Sequence, residues 1–354
     1  MSESVRYDEP SGSWLVSGHE QASAVLRGGG WSSDPRLIRG APPEVKELPP
    51  GNLLFSDPPD HTRIRRLLSP AFTPRSIEAL RPRVVDIVEA VLKGLDDSID
   101  LLDEVAYLIP VAVIAELLDV GSDGAELLLD LTPALVRQLE FGATADDMVG
   151  ATAAATDLTM FLTPYIAERR NRPGADFISA MLAVPDGLSD SEVATTCVLL
   201  LAAGHETTAN LIANSALALL LDPSQIPHLL ADPARAVEEL LRVEGPIKTA
   251  ARTALTDHRL DGELIPAGDT VQVLLQEAGR GQGPLDLSRA PLPHLAFGSG
   301  IHYCLGQALA RMEAVEALPR LFTAFPALRL ESHRWRSSTT FHALDELRVS
   351  GLHG

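Results

Sequence analysis

Phe297-Gly298-Ser299-Gly300-Ile301-His302-Tyr303-Cys304-Leu305-Gly306 leads straight into Gln307-Ala308-Leu309-Ala310-Arg311, a helix-like run. The stretch gathers three glycines, a histidine and one of the chain's two cysteines into one tight loop. Residues without a Cβ reach backbone angles closed to others and let a flat ligand come close. The helix that follows would turn free N–H groups and the positive end of its dipole toward Cys304, which favours thiolate over thiol. Phe297 can cover the sulfur and keep water away from it. A sulfur placed this way can act as the single thiolate ligand of a haem iron. The plain alternative is a packed cysteine ahead of a helix, because free cysteine is among the most buried residue types.

The bulk numbers narrow the setting. The chain has 354 residues, 45% of them hydrophobic and only 5% aromatic, and is rich in Ala and Leu, which leans toward helices. Its formal net charge of −19 argues against nucleic acid and against an anionic membrane surface as partners. Two cysteines, Cys197 and Cys304, make no disulfide framework and suit a reducing compartment. The first ten residues show neither an apolar core nor a positive leader, and no run nears the ~18 apolar residues of a membrane span. A soluble, cytoplasmic protein is expected.

Apolar periodicity predicts helices over 21–27, 64–68, 77–95, 101–118, 151–171, 190–221 and 234–243. Ser189 followed by Glu192 predicts a capping box at the start of the longest helix, and Asp222-Pro223 predicts its end. Strands are expected at 12–17, 250–255, 270–274, 328–330 and 347–349, and an irregular loop over 32–51, where Pro and Gly cluster. The pattern fits one mainly α domain spanning 1–354, with a small β-rich edge.

Three further clusters carry chemistry. Ala203-Gly204-His205-Glu206-Thr207-Thr208 lies inside the predicted long helix. A mid-helix glycine is costly, and threonine hydroxyls bond back to carbonyls one turn earlier. Such a stretch could open a groove over a cofactor at Ala203, with Glu206 and Thr207 as a proton relay, or be a mildly imperfect core helix. Glu239 and Arg242 stand three apart and can pair on one helix face. His61 and Arg65, in Asp57-Pro58-Pro59-Asp60-His61-Thr62-Arg63-Ile64-Arg65-Arg66, are four apart at a helix start and could receive carboxylates or simply be solvated. Cys197 sits among apolar residues as a core thiol.

The cysteine loop, Phe297 to Gly306, resembles the haem-binding loop of the cytochromes P-450, bacterial soluble type. The Ala203 to Thr208 stretch resembles the same family's oxygen-activating helix, and the matches run in order from about Trp14 to Arg311. The resemblance implies a P-450-type helical fold and haem b with Cys304 as the metal ligand. It implies propionate contacts from His61, Arg65, Arg252 and His302, and cofactor contacts from Phe297, Gly298, Ala203 and Gly306. Glu206 and Thr207 would deliver protons. Leu53, Leu54, Ala202, Ile247 and Thr249 would line the substrate pocket. Glu239 and Arg242 would be structural, and His294 would make a structural hydrogen bond.

The expected reaction is monooxygenation of a small organic substrate, free or carrier-bound, by hydroxylation, epoxidation or oxidative coupling in natural-product metabolism. The alternative is a haem-thiolate protein without turnover, against which the Glu206-Thr207 pair argues. The sequence shows no flavin or nicotinamide fingerprint, so electrons are expected from a ferredoxin and its reductase, docking on Arg65, Arg66, Arg75 and Arg311 near the loop. Three departures from the family pattern stand out. Little sequence precedes Trp14, and the 276–290 segment is abbreviated, leaving Arg280 or Arg289 as third partner of the Glu239-Arg242 pair. His342-Ala343-Leu344 replaces the more usual Arg-Gly-Leu.

Overall fold

Side-chain caps open several of the helices of this chain, among them Thr144, Asp176 and Ser189. The computed structural model describes residues 4–41, 43, 45, 52–184 and 187–353. Part of the 32–51 loop, including Pro42 and Pro49-Pro50, lies outside them. The helices are α1 (His19–Arg27), α2 (Asp60–Leu68), α3 (Pro74–Glu78), α4 (Arg81–Leu92), α5 (Leu108–Leu118), α6 (Gly121–Arg137) and α7 (Ala145–Asn171). They continue with α8 (Phe177–Leu182), α9 (Asp190–Leu221), α10 (Ile226–Ala231), α11 (Pro233–Glu244), α12 (Leu275–Arg280) and α13 (Gln307–Ala324). The expected 77–95 helix splits in two. Pro82 lacks the N–H that a helix interior needs, so it sits in the first turn of α4. The 101–118 stretch opens with a π-helical turn, Leu102–Ala106, before α5. Helix α6 was not anticipated, because Gly121, Gly124 and Pro133 interrupt its apolar pattern.

Helix α9 takes the predicted bounds, and its capping box is present: Ser189 Oγ accepts from Glu192 N while Glu192 answers at Ser189 N. This helix joins two cores. Val193, Cys197 and Leu201 pack with residues of α5 to α8, while Leu211, Ile212 and Leu217 pack with residues of α4, α11 and α13. Ala203 to Thr208 lies between the two.

The strands are β1 (Val5–Asp8), β2 (Ser13–Val16), β3 (Trp31–Ser32), β4 (Ser98–Asp100), β5 (Thr249–Ala254), β6 (His258–Leu260), β7 (Glu263–Ile265), β8 (Thr270–Leu274), β9 (Arg329–Trp335) and β10 (Leu344–Ser350). One sheet runs β1-β2-β8-β5-β3, with only the β2–β8 pair parallel. Strand β10 pairs with β4 and β9, and β6 with β7 forms a hairpin. The fold is mainly α with small sheets, as the sequence predicts.

The abbreviated segment still completes the buried ion pair. Arg242 binds Glu239 through Nε at 2.7 Å and Nη2 at 2.6 Å, and both residues are buried. Arg289 is the third partner, with Nη2 2.6 Å from Glu239 Oε1. Arg280 instead donates to Val243 O and bonds Glu244. His342, one of the departures, bonds Glu244 at 2.9 Å and stacks on Trp335 at 4.1 Å. Removing one member of a buried pair strands the other charge. Glu239→Ala is therefore expected to lower unfolding free energy by about 3–5 kcal/mol. Arg289→Ala should cost less, and Arg280→Ala least, in urea titrations of the three variants.

Candidate functional site

The cysteine loop is held by its own backbone. Cys304 N–H donates to Phe297 O at 2.9 Å, Tyr303 N–H to Gly300 O at 3.1 Å, and Gly298 N–H to Leu295 O at 2.8 Å. Gly298 and Gly300 take φ of +69° and +72°, which side chains rarely adopt. At Gly300 a Cβ would also stand 2.2 Å from Leu26 O, so the loop is pressed against the end of α1. Arg27 Nε reinforces this contact by donating to Ser299 Oγ at 2.6 Å.

Cys304 lies on the wall of a cavity of about 450 Å³, within the range of ligand pockets. Burial pushes its thiol up, while the Gly306 N–H and the Arg65 and Arg311 charges pull it down; burial prevails. The N–H at the helix start acts in the expected direction, toward thiolate, and burial opposes it. Phe297 also lines the cavity, and the Arg311 guanidinium rests 4.3 Å from its ring centroid. Glu238 fixes that arginine, with Oε2 3.1 Å from Arg311 Nη2 and 3.1 Å from His294 Nε2. Burial alone would raise the Glu238 carboxyl, but the His294 and Arg311 bonds outweigh it and hold it at about 2.

Across the cavity, Leu199, Leu200, Ala203, Gly204, Thr207 and Thr208 form one stripe of α9. Thr207 Oγ1 donates back to Ala203 O at 2.6 Å. Glu206 itself does not line the cavity. It is buried off the cavity wall, where Oε1 accepts from Arg336 Nη1 at 2.6 Å and from Asn210 Nδ2 at 3.0 Å. Arg336 Nη2 also donates to Tyr107 Oη at 3.0 Å. The partner lies 130 residues away, and no short-range spacing announces it. Ala202 is likewise turned from the cavity into the core shared with α5 to α8. Leu53, Leu54, Ile247 and Thr249 do line it. Phe141, Thr340 and Phe341 line it too and were missed, because they come from a loop and from the chain's end.

The cationic rim tests whether haem fits. Arg65 and Arg252 reach the cavity, and neither meets a carboxylate within salt-bridge distance among the described residues. Burial lowers Arg65 and brings Arg252 down to about 10. His302 shares the wall, with Nε2 buried and unpartnered, and burial together with the neighbouring Arg252 charge lowers it to about 3. His61 is not on the wall; it stands behind His302 with ring centroids 4.2 Å apart, and both its nitrogens are buried without partners. Uncompensated buried donors call for an anion. Gly306 has nothing within 4 Å of a built Cβ, which leaves room beside the sulfur. Cys304, Arg65, Arg252 and His302 line this one cavity together, a donor set whose chemistry fits an anionic cofactor with a metal.

A family model described as cytochrome P450 matches residues 234–340. The chain is 39% identical over 345 residues to cytochrome P450 monooxygenase PikC of Streptomyces venezuelae, covering 92% of this chain and 81% of that protein. It is 35% identical to 6-deoxyerythronolide B hydroxylase of Saccharopolyspora erythraea, covering 95% and 89%. A crystal structure of P450BioI with an acyl carrier protein ligated to hexadec-9Z-enoic acid superposes with a TM-score of 0.90 at 34% identity, covering 96% and 91%. No helix among the described residues is long and apolar enough to cross a membrane.

Two outcomes follow from this geometry. Gly300→Ala should destabilise the protein, whereas Gly306→Ala should leave apo stability within about 1 kcal/mol and weaken haem retention, read by thermal melting and haem titration. The Glu238 contribution is in place above its ordinary value of 4.5 and drains as pH falls toward about 2. Urea stability of the parent should thus fall between about pH 5 and about pH 3 more steeply than that of Glu238→Gln.

Proposed function

The chain belongs to the cytochrome P450 family, and from that premise we propose that Cys304 is the axial thiolate of its haem b, with the propionates received by Arg65, Arg252 and His302 and by His61 behind them. The protein is a monooxygenase of small organic molecules. Haem held by a thiolate supplies dioxygen binding and cleavage of the O–O bond. The observation that carries the site assignment is the pairing of Cys304 on one wall with unneutralised Arg252 and Arg65 at the rim of the same cavity.

The chain's own residues have separable tasks in this reading. Phe297, clamped by Arg311, shields the sulfur from water. Thr207, whose hydroxyl lines the cavity, would accept a hydrogen bond from water there and position it. Glu206 stands one residue back, held by Arg336, and would pass protons through ordered water rather than directly. Ile247, Leu53 and Phe341 give the substrate mostly apolar walls, suited to a bulky natural-product intermediate. A carrier-bound acyl chain is the second reading, favoured by the likeness to P450BioI. Electrons come from a ferredoxin and its reductase. Of the four arginines first considered for docking, Arg311 is tied to Glu238 and Arg65 faces the cavity, whereas Arg66 and Arg75 are exposed and take no ion pair among the described residues.

A carbon monoxide difference spectrum of the reduced, haem-supplemented protein tests the ligand: the thiolate band is expected in the parent and absent in Cys304→Ala. Its persistence in that variant would overturn the assignment. Thr207→Ala should keep the band and lose product formation by up to about 100-fold, with oxygen consumption continuing. Neutralising Arg66 and Arg75 should slow reduction by ferredoxin and spare reduction by dithionite. Spin-state titration with free and carrier-bound candidates separates the two substrate readings, and nicotinamide consumption on adding substrate separates an enzyme from a haem protein without turnover.

A further inference from the structure

Among the described residues, three carboxyl groups stand on the cavity wall, and they differ in what holds them. Asp34 is bound by Arg36, through Nε at 2.7 Å and Nη2 at 2.6 Å. Glu313, on α13, is buried, and burial pushes its carboxyl up to about 8, so it is neutral at pH 7. Glu140 meets no cation within salt-bridge distance among the described residues. It sits on the turn between α6 and α7, and that turn is fastened to the segment between β9 and β10. Phe141 N–H donates to Thr340 Oγ1 at 2.6 Å, Thr339 Oγ1 donates to Phe141 O at 3.1 Å, and Thr340 N–H donates to Glu140 Oε2 at 3.3 Å. The carboxylate is thus held in place before any ligand arrives, which lowers the entropic cost of using it. Lys248 lies off the cavity wall and donates from Nζ to Ser338 O at 3.0 Å; burial lowers its ammonium, and the Glu140 charge works against that. Phe141 follows Glu140 in the turn, Phe341 follows the Thr340 that holds it, and both line the cavity.

A lone carboxylate on a mostly apolar wall is costly to desolvate unless the entering molecule brings a positive charge. Aromatic faces attract the same kind of group, above all an alkylated ammonium. The two cations among the described lining residues, Arg65 and Arg252, belong to the propionates in the haem reading, so neither answers Glu140. We propose that Glu140, with Phe141 and Phe341, holds the ammonium group of a substrate whose body is apolar. The enzyme then selects tertiary or quaternary amines over alcohols and fatty acids of equal length. This inference deepens the monooxygenase reading and rests on it. A carrier-bound acyl chain brings no such charge, so a free substrate is favoured over a carrier-bound one.

The test titrates the haem-loaded protein with dodecyltrimethylammonium, dodecanol and dodecanoate, each below its micelle concentration, and reads the spin-state shift. These probes share one chain length, and a quaternary ammonium cannot ligate the iron. The parent should bind the ammonium about ten-fold more tightly than the alcohol, and the carboxylate most weakly. Glu140→Gln keeps an acceptor for the Thr340 N–H and removes the charge, so its preference for ammonium over alcohol should vanish. Lys248→Met removes the opposing charge and should raise that preference above the parent's. Added salt should weaken the preference in the parent and leave Glu140→Gln unchanged. Equal affinity for ammonium and alcohol in the parent, tightest binding of dodecanoate, or a preference that survives in Glu140→Gln overturns the proposal. The carbon monoxide spectrum of the same preparation decides the haem reading separately. Without its thiolate band, calorimetric titration with the same three probes still decides the Glu140 assignment.

Discussion

The position of one sulfur is set by main-chain contacts. The Cys304 N–H on Phe297 O, two positive-φ glycines and the press of Gly300 on Leu26 O leave the loop a single path into α13. Everything else in the site is arranged around that fixed point. The α9 stripe lines the same cavity, and so do Arg65 and Arg252. The loop can hold so definite a shape because glycine removes the steric objection at the two positions where another residue would raise one.

Charge is handled differently on the two sides of the molecule. On the side of α11, each buried charge named here has its counter-charge: Glu239 has Arg242 and Arg289, and Glu238 has Arg311 and His294. At the cavity rim, Arg65 and Arg252 have none, and the His61 and His302 rings keep unpartnered nitrogens. A fold that satisfies its buried ions in one place and leaves them open in another marks the open place as a site for a ligand of the opposite sign.

Much of this was legible in the residues. The tight turn of the Phe297 to Gly306 loop was legible because glycine has few structural substitutes there. Helix α9 was legible because its capping box and its terminal Asp222-Pro223 act locally. What stayed hidden depends on distant partners. The orientation of Glu206 is decided by Arg336, and the choice of Arg289 over Arg280 by the path of the shortened segment. Ala202 and Ala203 differ only in which side of α9 they occupy, and one residue of helical rotation separates core from cavity.

The contact of Gly300 with the carbonyl of Leu26 has a reach beyond the loop. It makes the amino-terminal helix a buttress of the cysteine loop, although some 270 residues of chain lie between them. A side chain at position 300 would therefore have to displace the end of α1, so the shape of the cysteine loop and the placement of the amino-terminal helix constrain each other.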